Sequence, residues 1–248
     1  GKGVWGLRNY KNNTSLTAII KKISKGWLEY RDHCKSTSKS GASIRIVKQD
    51  HFIYDLVKTD WAGFISKNVN LKKYTVESSV GQGNISAAPW LTVMDKSITE
   101  SATEGFYVVY LFSRSAKKLY LSIGIGAVQF QEIHGTTNLC LEKIKVASTQ
   151  FNNLFKKYSP PNTINSINLL EDELDFEEPI KGTARNLVRG YENGTNFSKE
   201  YNIDEINDEI LIKDLKEYIN VYANIVDDPN AEGLDIIAET TIDEKIEE

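Results

Sequence analysis

The sequence predicts an α+β domain, with a mixed or antiparallel central sheet flanked by helices and a helical C-terminal part. Three observations predict it. Apolar residues recur at helical spacing towards both ends of the chain. The middle is a block of β-branched and aromatic runs separated by glycine and polar turns. The composition, 40% hydrophobic and 26% charged over 248 residues, suits a globular chain with one sizeable core.

The first helix is predicted over residues 15–33, where Leu16, Ile19, Ile20, Ile23, Trp27 and Tyr30 share a face and Thr14 or Ser15 caps the start. Gly41 breaks a polar loop over 35–43. A second amphipathic helix is predicted over 50–67, with Asp50 as cap and Phe52, Leu56, Trp61, Phe64 and Ile65 inward. The period then changes. Strands are predicted over 73–78, 90–94, 105–113 and 118–125, the last two as a hairpin, with a glycine loop over 80–88 and a polar turn over 95–104. Helical spacing returns over 137–158, with Leu139, Ile144, Ala147, Phe151 and Leu154 inward, until Pro160 and Pro161 stop it. A strand is predicted over 163–171, an acidic loop over 171–178, loop or hairpin over 190–201, and a helix over 203–226. Residues 1–226 thus read as one domain with its motif region at 72–126, and residues 227–248 as an acidic tail or linker.

No run of about 18 apolar residues exists to cross a membrane, and residues 1–10 show no secretory leader. The two cysteines, Cys34 and Cys140, suit buried thiols in a reducing compartment, so the chain reads as cytoplasmic. The net charge of −4 conceals an asymmetry. Residues 1–80 carry 15 basic and 6 acidic side chains, residues 81–160 carry 8 and 5, and residues 161–248 carry 7 and 23. A basic segment attracts polyanions such as nucleic acid; equally, charged faces keep a chain in solution.

Catalytic signatures are missing from the sequence. There is no phosphate-binding loop, no nucleophile elbow and no C-x-x-C pair, and His33, His51 and His134 lack metal-ligand spacing. Gly81-Gln82-Gly83 is too short for a dinucleotide fingerprint. No cofactor, metal or catalytic residue is therefore predicted, and the chain reads as a non-enzyme. Two stretches carry information. In Ser79–Trp90, Gly81 and Gly83 allow a tight turn and close approach to another surface, with Gln82 at the tip, and the loop is shaped to enter a DNA groove; the same residues also make an ordinary turn with Pro89 and Trp90 in the core. In Gly105–Leu121, Tyr107, Val109 and Leu111 share one strand face, and Phe106, Val108, Tyr110 and Phe112 the other. Trp90, Tyr107 and Leu111 would wall a slot for a flat ligand, or would be core.

The run Val76–Ile125 resembles the N-terminal DNA-binding domain of the McrB family, which recognises modified DNA in modification-dependent (type IV) restriction systems. The matching features are G-x-G-N (Gly81, Gly83, Asn84), P-W (Pro89, Trp90), G-x-Y (Gly105, Tyr107), and the apolar strand returning through Tyr120 and Leu121. The resemblance implies double-stranded DNA carrying a modified base, a methylated cytosine by the family's habit, as partner. It implies that the base flips out and is sandwiched by Trp90 and Tyr107, with Leu111 near the methyl group and Gln82 at the pocket or the gap. The best-known member has a tyrosine at the Gln82 position, which leaves 5-methyl-, 5-hydroxymethyl- and N4-methylcytosine, or another modified base, open. Asn84, with backbone groups over 84–88 including Ser86, would meet the base edge. Lys72, Lys73, Arg114, Lys117 and Lys118 would meet phosphates. An NTPase or nuclease part, on the same or another chain, would complete such a system in antiviral defence. Two other readings remain: a small metal-dependent nuclease with carboxylates in residues 160–248, and a protein-interaction module using the acidic C-terminal half.

Overall fold

Helix α1 (Leu16–Thr37) forms as its apolar spacing predicts, with Ser15 Oγ accepting from the Ala18 N–H at 3.1 Å as the N-cap. It runs past residue 33 because the hydroxyls of Ser36, Thr37 and Ser38 donate to the carbonyls of His33 and Cys34 and satisfy the last turn. The computed structural model describes residues 15–39, 43–48, 51–171 and 180–233. The predicted cap Asp50, most of the acidic loop and most of the acidic tail lie outside them.

The predicted second helix is one helical run in three parts: α2 (Phe52–Asp55), a π-helical turn (Leu56–Trp61) and α3 (Ala62–Ser66). Ile53, Val57, Trp61 and Ile65, each four residues apart, are fully buried. In a regular α-helix that spacing drifts about 40° per step; the wider π turn keeps all four in the core. The same phase leaves Phe52, expected inside, 54% exposed.

Among the described residues the chain builds a five-stranded antiparallel sheet in the order β1-β2-β3-β4-β5. Its strands are β1 (Tyr74–Gln82), β2 (Asn84–Asp95), β3 (Phe106–Phe112), β4 (Lys118–Ile125) and β5 (Thr195–Asn202). One face packs on α1, the π turn and the C-terminal α7 (Asp208–Val226) through Trp27, Trp61, Tyr110, Phe112 and Tyr222. The Tyr222 hydroxyl ties α7 to the sheet, donating to the Phe106 carbonyl at 2.8 Å and accepting from the Asp95 N–H at 2.9 Å. The opposite face carries a smaller cluster, including Met94, Tyr107, Val109, Leu111 and Tyr120. The helices α4 (Ala127–His134), α5 (Asn138–Phe155) and α6 (Gly182–Asn193) connect β4 to β5. Cys34 and Cys140 are buried free thiols.

The sequence expectation fails in five places. The glycine loop over 80–88 is mostly strand. Residues 163–171 are not a strand: after Pro160, Pro161 and Asn162, whose φ is +58°, only Ile164 bridges Ser198. There the Leu169 and Leu170 N–H groups donate to the Glu192 carboxylate instead of a ladder, at 2.7 and 3.2 Å. Residues 190–201 are the end of α6 and β5 rather than the expected loop or hairpin, and no sequence signal predicts α4. Leu139 and Leu154, expected inside α5, are 50% and 39% exposed.

Candidate base-binding cavity

The site begins with a hairpin whose backbone admits only glycine at one position. Gln82 pairs with Asn84 across Gly83, which, not Gln82, occupies the apex at φ +75°. Gly81 has φ +130°, and a Cβ there would stand 2.1 Å from the Asn84 carbonyl oxygen. Gln82, Gly83 and Asn84 are all exposed.

Below the apex β2 bulges. Ser79 pairs with Trp90 and Gly81 with Ile85, so Ser86–Pro89 stand against Val80 alone. Three anchors hold this bulge. Arg31 on α1 donates to the carbonyls of Ser86 and Ala87, the Trp27 indole N–H donates to Ala87 at 3.4 Å, and the Ser86 hydroxyl donates to Ala88 at 2.6 Å. Burial, then the neighbouring Arg114 charge, pushes the Arg31 guanidinium down to about 10. It still carries its proton at neutral pH, and it donates to carbonyl oxygens.

Beyond the bulge, Trp90 returns to the sheet face shared by Tyr107, Val109 and Leu111. A cavity of about 340 Å³ opens on that face. Gly81, Gln82, Asn84 and Ser86 line it from the hairpin, Trp90 and Thr92 from β2, and Tyr107, Val109 and Leu111 from β3. Trp90 pairs with Leu111, four residues from Tyr107, so the two aromatic positions are about 13 Å apart along the strands. Both side chains line the cavity, with Val109 and Leu111 on the same face of the sheet. Tyr107 is held: it is 5% exposed and its hydroxyl donates to the Ala102 carbonyl at 2.8 Å. Burial first, with Tyr191 and Glu77 adding, raises its phenol far above the ordinary value, so the ring is a neutral wall.

Sequence reasoning missed part of the lining. Gly124 stands opposite Tyr107, and a Cβ there would come within 3.0 Å of Val109 and 3.2 Å of the Tyr107 ring. A glycine inside a strand signals such a close approach, so this position was findable. Tyr191 and Leu187 on α6, Val128 on α4 and Thr195 on β5 close the far side, and they come from a segment expected to be loop or hairpin or from segments with no expectation at all. None of the described lining residues carries a charge.

The five cations assigned to phosphates are not brought together. Lys72 and Lys73 stand at the end of β1 remote from the hairpin, where Lys73 Nζ is 3.4 Å from the Asp95 carboxylate. Arg114, Lys117 and Lys118 lie in or beside the β3–β4 turn, at the hairpin end of the sheet. There Arg114 is 7% exposed, Lys117 is exposed, and Lys118 Nζ is 3.3 Å from Glu171 and 3.1 Å from Glu200. Among the described residues no group of three or more His, Cys, Asp or Glu side chains could hold a metal ion, and no helix is long and apolar enough to cross a membrane.

A family model described as MrcB-like, N-terminal domain, matches residues 10–227. No curated protein matches the chain.

Proposed function

Since the chain belongs to the MrcB-like N-terminal domain family, we propose that it is the DNA-reading module of a modification-dependent restriction system, and that it receives a methylated cytosine flipped from a duplex into the cavity between Trp90 and Tyr107. Family membership carries the coarser part, a DNA-binding module of a restriction system. The finer part is supported by one observation: an uncharged cavity walled by aromatic rings from adjacent strands, lying directly beside an exposed glycine hairpin.

The energetics suit such a reader. Extruding a base costs a few kcal/mol. Stacking on an aromatic side chain returns about 1–3 kcal/mol per base. A neutral pocket admits a base and disfavours the phosphate that trails it, because an unpaired charge is costly to desolvate. Edge recognition falls to Asn84, to Ser86 and to the backbone of the hairpin and bulge. One methyl group buried beside Leu111 adds about 1 kcal/mol of discrimination, so the polar contacts must do the rest. Phosphates are then held by cations at the hairpin end, such as Lys117, rather than by Lys72 and Lys73. The motor or nuclease work of the system belongs to a partner or to another part of the same protein.

The test is affinity for matched duplexes carrying unmodified, 5-methyl, 5-hydroxymethyl or N4-methyl cytosine, or N6-methyladenine. A modified-cytosine duplex is expected to bind at least several-fold more tightly than the unmodified one. Equal affinity for all of them overturns the modified-base reading, and cleavage of methylated DNA by this chain with magnesium overturns the non-catalytic one.

A further inference from the structure

Outside the cavity, one cation is built into the hairpin itself. The segment Ile44–Ile46 pairs with it: the Ile85 N–H donates to the Ile44 carbonyl at 2.9 Å, the Ile46 N–H donates to the Gly83 carbonyl at 3.1 Å, and Arg45 stands opposite Asn84. The Arg45 N–H donates to Ser38 Oγ at 2.9 Å, which ties the segment to the end of α1. Its guanidinium lies over the apex, with Nη1 3.7 Å from where a Cβ on Gly83 would stand. The exposed tip therefore presents two amides, Gln82 and Asn84, and one guanidinium, Arg45.

Building on the base-flipping reading, we infer that Gln82 and Arg45 together read the guanine left unpaired when its cytosine leaves the stack. Gln82 lines the cavity and also flanks the apex. When the base occupies the cavity, the apex stands at the position that the base vacated. The edge facing that position offers guanine O6 as acceptor and N1–H as donor. A glutamine amide carries one donor group and one acceptor side by side, the pair that cytosine N4–H and N3 had presented. Arginine carries donors only, in a planar fork that fits guanine O6 and N7. Adenine would set its N6 amino donor against that fork. The tip thus selects the partner of the flipped base, and through it cytosine, independently of what the cavity selects.

The experiment measures binding of the whole 248-residue chain to duplexes with 5-methylcytosine opposite guanine or 7-deazaguanine, which lacks the N7 acceptor. Wild-type protein is expected to bind the 7-deazaguanine duplex about tenfold more weakly. Arg45→Met is expected to bind both duplexes equally at the weaker level, with unchanged thermal melting because the side chain is exposed. Arg45→Lys, which lacks the fork, should not restore the difference. If Arg45→Met instead weakens both duplexes by one common factor and lowers the salt slope by about one, Arg45 is a phosphate contact and the inference fails. 2-Aminopurine as the neighbour of the target 5-methylcytosine, whose emission rises when that base leaves the stack, separates the two levels. A rise together with insensitivity to the opposite base sinks this inference alone, and no rise sinks the base-flipping reading with it.

Discussion

Trp90 and Tyr107 do different amounts of structural work, which decides how each is best tested. Trp90 is half-buried at the cavity, so Trp90→Ala removes a wall at modest cost to the fold. Tyr107 is 5% exposed and packs over Gly124, so Tyr107→Ala also leaves a hole costing about 3–5 kcal/mol, as for other large aromatic truncations. Both substitutions are expected to erase the preference for modified over unmodified duplex while salt-sensitive binding persists, measured by fluorescence anisotropy at two salt concentrations. Tyr107→Phe keeps the ring and loses only the hydrogen bond to Ala102, so it should retain the preference. Retained preference in both alanine variants would refute the two-ring slot.

At the scale of elements, the hairpin and its bulge are positioned by parts distant in sequence: Arg31 and Trp27 of α1 hold the bulge, and the Ile44–Ile46 segment borders the turn. The turn depends on Gly81. A side chain there meets both an unfavourable φ of +130° and a carbonyl oxygen 2.1 Å from its Cβ. Gly81→Ala is expected to cost at least about 1–3 kcal/mol, visible as a lowered melting temperature, together with weakened modified-base preference. Unchanged melting would show that the hairpin relaxes into another turn. Much of this element was legible beforehand. Paired glycines announced a tight turn, and the two-residue period of a strand sorted β3 into two faces without knowledge of its neighbours. The bulge was not legible, because it exists only where α1 supplies donors for carbonyls that left the ladder.

For the whole molecule, the sheet's closed face is sealed by tyrosines whose hydroxyls are buried. Tyr110, Tyr201, Tyr218 and Tyr222 all have phenols raised above the ordinary 10.0, with burial the first cause in each. Tyr201 and Tyr218 also face the carboxylate of Asp214, which accepts from the Tyr201 hydroxyl at 2.8 Å. A raised folded-state value means that the native protein keeps a proton that the unfolded chain releases above pH 10.0. That stability is fully present below this pH and is lost as pH rises beyond it. Denaturant midpoints are therefore expected to hold steady near pH 8–9 and to fall steeply above pH 10. A midpoint unchanged to pH 11 would contradict the burial of these hydroxyls.

Local rules were enough for the fold class, the hairpin signal and the sorting of β3 into Tyr107–Val109–Leu111 and its opposite face, since each depends on spacing within one segment. They could not reveal that the first face stays partly open while the second is sealed. That difference arises because α1, the π turn and α7 fill one side of the sheet, whereas α4 and α6 cover the other incompletely and leave a cavity. Tyr191, Thr195 and Arg45 reach the site from distant segments, and nothing in their own neighbourhoods marks them. A cavity is a property of how surfaces fail to meet, and only tertiary packing decides that.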